Sequence, residues 1–116
     1  QRVLIIGAGE MAELALQNLK SHGVADVMVT NRTYTNAENL ADKFAGTAIS
    51  FEQLENRLCE ADIIISSTGA RHFILTQSMV RKCLKKRRAR AMFFIDIAVP
   101  RDIDPEINEL NGTFTI

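Results

Sequence analysis

The feature that most restricts this chain lies at its start. An apolar run, Arg2-Val3-Leu4-Ile5-Ile6, passes without a spacer into Gly7-Ala8-Gly9-Glu10-Met11-Ala12. A strand that is apolar at consecutive positions has to be covered on both faces, which places it inside a parallel sheet flanked by helices. A Gly-x-Gly-x-x-Ala pattern carries meaning in one context, directly after a strand and opening a helix, and that is where it stands. Gly7 permits a tight turn, Gly9 lets backbone N–H groups approach a pyrophosphate with no side chain between, and Ala12 lets the helix lie close to the strand. The helix start adds about half a positive charge facing the phosphates. The whole stretch, with Ala8, Glu10 and Met11 inside it, reads as a phosphate cradle.

The rest of the chain continues the pattern, short apolar runs alternating with segments of helical period. A helix is expected over 10–22 with Met11, Leu14, Ala15 and Leu19 as its buried stripe and Gly23 as a left-handed cap. Strands follow at 27–30, 47–49, 63–65, 92–95 and 113–116. Capping boxes at Thr35/Glu38 and Ser50/Gln53 open helices ending near Phe44 and Glu60. Thr76 opens another, with Met79, Val80, Cys83 and Leu84 apolar, and Pro105 sits in the first turn of a short helix ending near Leu110. Together these predict an α/β doubly wound parallel sheet, a three-layer Rossmann fold of about six strands in the order 3-2-1-4-5-6. Its ligand crevice would lie at the carboxyl ends of the first and fourth strands.

Composition agrees with one domain over residues 1–116. The chain is 47% hydrophobic and 24% charged, enough to bury a core that needs neither disulfides nor metals. Cys59 and Cys83 lie in the predicted helices without a CxxC pair or a His/Asp cluster, so both read as small buried hydrophobes, and no metal site is expected. Fourteen basic residues balance fourteen acidic ones, giving the whole domain no electrostatic reason to seek nucleic acid or a membrane. No apolar run reaches a membrane span and no signal segment opens the chain, which points to a reducing, cytoplasmic setting. Both termini fall in or beside strands, as if the domain had been cut from a longer enzyme.

Three further stretches fall where a crevice would need them. Asn31-Arg32-Thr33 ends the second strand, at the position where NAD-specific domains usually place a carboxylate on the ribose 2′-hydroxyl. With no acid there, a 2′-phosphate could accept from Asn31 and Thr33 and pair with Arg32, whose plane can also stack on adenine. The reading is therefore NADP(H). Ser67, Thr68 and Gly69 leave room for the nicotinamide ribose after the fourth strand, and Ile97, Ala98 and Val99 follow the fifth, where backbone groups would face the nicotinamide carboxamide. Asp96 reads as structural, because no proton-transfer partner stands near it. Arg81, Lys82, Lys85, Lys86, Arg87, Arg88 and Arg90 form the strongest charge run. It reads as a solvated helix face favouring the C-terminal dipole, with an RNA-binding patch as the alternative. His22 is expected by a helix C-terminus and His72 in a loop near the crevice, neither catalytic.

The segments GAGEMAELA, NRT, STGA and FFIDIAVPRDIDPEI together resemble the NADPH-binding domain of glutamyl-tRNA reductases, over residues 3 to about 111. Shikimate dehydrogenases share the glycine turn and NRT, but not the run from Ile95 to Asp102. The resemblance implies an NADP-dependent oxidoreductase that reduces glutamyl-tRNA to glutamate-1-semialdehyde in tetrapyrrole (porphyrin) biosynthesis. A cysteine thiolate of an upstream domain would form a thioester and NADPH would deliver hydride to it. Neither Cys59 nor Cys83 matches that nucleophile, so no catalytic residue is expected here and the isolated domain should bind NADP(H) without turnover. The resemblance also implies a homodimer through a C-terminal helical domain, and the next enzyme, glutamate-1-semialdehyde aminomutase, as a partner. The alternatives are a shikimate-dehydrogenase-like NADP-dependent domain and a non-catalytic nucleotide-sensing or RNA-binding module.

Overall fold

A computed structural model describes residues 1–68, 74–88, 90–98 and 103–115. The apolar runs become strands β1 (Arg2–Ile6), β2 (Asp26–Thr30), β3 (Thr47–Ala48), β4 (Ile63–Ser66), β5 (Met92–Asp96) and β6 (Thr113–Thr115). They form one parallel sheet in the order β3-β2-β1-β4-β5-β6, the predicted order. Val3 stands level with Val27 and Ile63, and Ile6 with Thr30 and Ser66, so the carboxyl ends of β1, β2 and β4 open at one height.

Alternate side chains of β1 feed two cores. Val3 and Ile5 pack with Val27, Val29 and Ile65 under helices α1 (Glu10–Ser21) and α2 (Tyr34–Lys43). Leu4 and Ile6 pack on the other face with Met28, Ile64, Met92 and Phe94, beneath α3 (Leu54–Arg57) and α4 (Gln77–Lys86). No helix among the described residues is long and apolar enough to cross a membrane.

Several local expectations need correction. Met11 and Leu14 are 55% and 56% exposed, while Ala12 and Leu16 are fully buried, with Ala15 and Leu19 partly so. The helix is phased by its smallest residue, because Ala12 must face the strand for the close approach, and that turns the larger Met11 and Leu14 outward. The cap of helix α2 is Thr33, two residues ahead of the predicted one, so the Thr35/Glu38 box does not form and Thr33 makes no side-chain cap. The Ser50 N–H does donate to Gln53 Oε1 at 3.3 Å. What it opens is a broken succession, 3-10 turn Phe51–Gln53, α3, then 3-10 turn Leu58–Glu60, rather than one helix. Thr76 caps α4 as predicted, accepting from the Met79 N–H at 3.4 Å. Asp104 likewise accepts from Glu106 N–H at 3.0 Å at the head of the 3-10 helix Pro105–Glu109.

The two cysteines are not separate thiols: a disulfide joins Cys59 to Cys83, with Cα atoms 4.7 Å apart. The packing of α4 on the Leu58–Glu60 turn brings together residues 24 apart in sequence, a juxtaposition that no local spacing encodes. The charge run also divides. Its six other cations are exposed, but the Arg87 side chain is 2% exposed and pairs with Asp62 at 2.8 Å. Arg87 further donates to the carbonyls of Cys59, Ala91 and Arg90 at 2.9, 2.8 and 3.2 Å.

Candidate dinucleotide site

At the carboxyl end of β1 the chain turns at Gly7, whose φ of +119° lies in a region that side-chain-bearing residues avoid. Its N–H donates to the Thr30 carbonyl at 2.8 Å. A Cβ there would stand 2.5 Å from Ser67 Oγ. Ser67 is itself pinned, its N–H and Oγ reaching the Ile6 carbonyl at 3.0 and 3.3 Å. The turn after β1 and the end of β4 therefore interlock, and glycine at position 7 is a requirement of the fold.

Gly9 differs. It caps α1 in an extended conformation, φ −87°, and a Cβ placed on it would meet nothing within 4 Å. Neither backbone strain nor packing demands glycine there. What the missing side chain leaves is open space in front of the helix start, where the N–H groups of the first turn have no intrahelical acceptor. Such a cradle fits a pyrophosphate. Two carboxylates stand in this first turn; Glu10 is exposed, and Glu13 is paired with Lys43 at 2.7 Å. Ala8 lines a small neighbouring cleft with Glu13 and Lys43.

At the end of β2, Thr30 is buried and its Oγ1 has no hydrogen-bond partner among the described residues. Asn31 Nδ2 braces the loop by donating to the Thr33 carbonyl at 3.2 Å. Arg32 extends over the Phe51 ring, its guanidinium carbon 5.3 Å from the ring centre. The two line a cleft of about 290 Å³ with Glu52, Leu54, Glu55, Ile74 and Met79. No carboxylate occurs at 31–33; the acids of this cleft come from the segment after β3.

On the other side of β1, Ser67 and Thr68 are half-buried at the end of β4. The Ile97 N–H donates to the Ser66 carbonyl at 2.9 Å, extending the β4–β5 pairing into the crevice. Asp96 accepts from the Ala98 and Ile103 N–H groups at 3.1 and 2.9 Å, so its carboxylate ties Ala98 to Ile103. Gly69, His72 and Val99 lie outside the described residues. Nδ1 of His22 stands 2.8 Å from the Asn18 carbonyl at the C-terminal end of α1.

The geometry thus brings Gly7 against Ser67 and Ile97 beside Ser66, puts Gly9 at an open helix start, and sets Arg32 in a cleft. Asn31 and Thr33 are tied to each other across the loop that carries Arg32. Phe51, Ile74 and Met79 are cleft residues that sequence reasoning missed. They come from three separate segments, and the local sequence marked only Phe51, apolar just after a cap, and Met79, part of the apolar stripe after Thr76.

A parallel sheet in this order, with a glycine turn at its central strand and a crevice at the carboxyl ends, defines a Rossmann domain of the nicotinamide dinucleotide-binding class. The sequence profile of the shikimate / quinate 5-dehydrogenase family matches residues 1–116, and the chain belongs to that family. Within it, the similarity to glutamyl-tRNA reductases is high. The chain is 56% identical to that of Desulfotalea psychrophila over 98% of its own length and 27% of the relative's. With that of Bacillus subtilis it shares 52%, covering 98% of this chain and 25% of the relative. The solved glutamyl-tRNA reductase of Methanopyrus kandleri superposes with a TM-score of 0.92 at 36% identity, covering 99% of this chain and 29% of that one. Quinate dehydrogenase from Corynebacterium glutamicum, solved in complex with NAD, shares the fold at 20% identity (TM-score 0.75; 99% of this chain, 43% of that one). This chain spans about a quarter of the length of the glutamyl-tRNA reductases it matches.

Proposed function

We propose that residues 1–116 form a single NADP(H)-binding domain that supplies the hydride-donor site of a glutamyl-tRNA reductase. The observation that carries the choice of NADP(H) is Arg32, held in the cleft at the end of β2 with no carboxylate at positions 31–33. In this reading the backbone of Gly7, Ala8, Gly9, Glu10, Met11 and Ala12 receives the pyrophosphate, and Gly9 leaves the room for it. Arg32 pairs with the 2′-phosphate, and Asn31 and Thr33 complete the loop around it. Ser67 and Thr68, with Gly69, face the nicotinamide ribose; Ile97 and Ala98, with Val99, back the nicotinamide ring. The bound cofactor supplies a hydride. Asp96 takes no chemical part and acts as a brace, and Ser67, bonded to the Ile6 carbonyl, also braces the end of β4.

The substrate in this reading is glutamyl-tRNA, reduced to glutamate-1-semialdehyde after a cysteine from elsewhere in the enzyme has captured the glutamyl group. A cytoplasmic homodimer handing its product to the aminomutase belongs to the same reading. Titrating the chain with NADPH and NADH tests the cofactor assignment. NADPH should bind tighter, and Arg32→Ala should cost NADPH about 1.5–3 kcal/mol, the worth of a hydrogen bond to a charged group, while NADH loses less. Binding of neither nucleotide, or a preference for NADH, overturns it.

A further inference from the structure

We infer that Phe51 is a positioning residue for cofactor specificity, a platform that holds the Arg32 guanidinium over its ring and leaves the N–H groups available for a 2′-phosphate. The inference rests on the NADP(H) reading above and adds a residue to it.

The cleft offers Arg32 two kinds of neighbour. Glu52 and Glu55 line it with carboxylates, and Phe51 lines it with a ring. An ion pair with either acid would occupy the guanidinium's donors and oppose the arrival of an anion. Among the described residues Arg32 makes no such pair; its guanidinium lies 5.3 Å over the Phe51 ring instead. A guanidinium held over a ring by cation–π attraction satisfies no acceptor there and keeps its five N–H groups for other acceptors. The arrangement also matters for ordering. Arg32 is exposed, on a loop at a strand end, and an unsupported arginine loses much rotamer freedom on gripping a phosphate. Stacking restricts that freedom before the ligand arrives.

The test is the ratio of NADH to NADPH dissociation constants, since the two ligands differ only by the 2′-phosphate and a merely structural residue would change both alike. Phe51→Leu keeps apolar bulk and removes the ring; it should lower the ratio about 2- to 5-fold, the worth of an exposed cation–π contact. Phe51→Tyr should keep the parental ratio. Arg32→Ala should lower the ratio further, and Phe51→Leu added to it should change nothing more, the mark of one residue acting through the other. Melting curves check folding, with Phe51→Met replacing the leucine variant if that one unfolds early. An unchanged ratio in Phe51→Leu, with the ratio lost in Arg32→Ala, overturns the platform and leaves the cofactor reading intact. Equal weakening of both ligands, or a tyrosine variant as impaired as leucine, also overturns it. A parental chain that does not prefer NADPH removes the cofactor reading and the platform with it.

Discussion

The two edges of the sheet are built from different chemistry. At the amino edge, where β1, β2 and β4 begin, the strands are stitched by charge. Arg2 pairs with Asp26 and Glu60 at 2.7 Å each, Arg57 with Glu60 at 2.5 Å, and Asp62 accepts from the Arg2 N–H at 3.0 Å and from Arg87 at 2.8 Å. At the carboxyl edge the contacts are backbone turns and small side chains, Gly7 against Ser67 and Ile97 onto Ser66, with Arg32 resting on a ring. One edge satisfies its charges internally; the other leaves space and donors directed outward. In the proposed reading this division gives stability to one end of the molecule and ligand chemistry to the other, and substitutions can be aimed at each end separately.

The largest effect is expected at Arg87. Exposed pairs such as Arg2–Asp26 contribute little, because water competes for both partners. Arg87 is different, since its removal strands a half-buried Asp62 and three carbonyls. Arg87→Met should destabilise the domain by about 3–5 kcal/mol in urea unfolding, while the surviving folded fraction binds NADPH with parental affinity. A variant that loses affinity without losing stability would dissolve the separation of the two edges.

The glycines of the cradle sharpen the comparison within the carboxyl edge. Gly7→Ala forces a side chain into a positive-φ position against Ser67, and should cost roughly 1–3 kcal/mol of stability. Gly9→Ala meets no atom, so stability should stay within about 0.5 kcal/mol. Its effect should appear in binding, where a displaced pyrophosphate gives up roughly 1.5–3 kcal/mol of charge-assisted contact. Parallel calorimetric melts and NADPH titrations of the two variants separate the roles; a Gly9→Ala chain that binds normally would remove the pyrophosphate from the helix start.

Much of this organisation could be read from residue order. Continuous apolar runs such as those of β1 and β4 mark buried parallel strands, and right-handed crossovers then leave few sheet orders. Glycine punctuation marked the turn after β1, because Gly7 adopts a conformation few other residues tolerate. What stayed hidden depends on which way a helix rolls or on which distant segments meet. The stripe on α1 was misassigned because hydropathy ranks Met11 and Leu14 above Ala12, whereas close packing on β1 selects the smallest of them. Arg87 is indistinguishable in sequence from its solvated neighbours; only the end of α4 arriving beside Asp62 makes it a core residue. The Cys59–Cys83 bond and the Phe51–Arg32 contact are likewise products of tertiary packing.

Acid titration gives the smallest expected effect and probes the amino edge alone. Burial resists ionisation of Asp62, but the Arg2 N–H, the Arg87 guanidinium and the charge of Arg90 outweigh it and hold the carboxyl below its ordinary value of 3.8. On acidification the unfolded chain therefore takes up this proton first. The stability contributed by the carboxylate is complete well above 3.8 and is lost as the pH falls through the lower folded value. Asp62→Asn should make the domain less stable near neutrality, and the gap from the parent should narrow as the pH drops below about 4. The NADPH-to-NADH preference should not move, because Asp62 lies at the far edge of the sheet. Urea midpoints taken across that range decide the matter: a gap that stays constant would mean that Asp62 keeps its proton equally well folded and unfolded, and that the acid sensitivity of this edge has another origin.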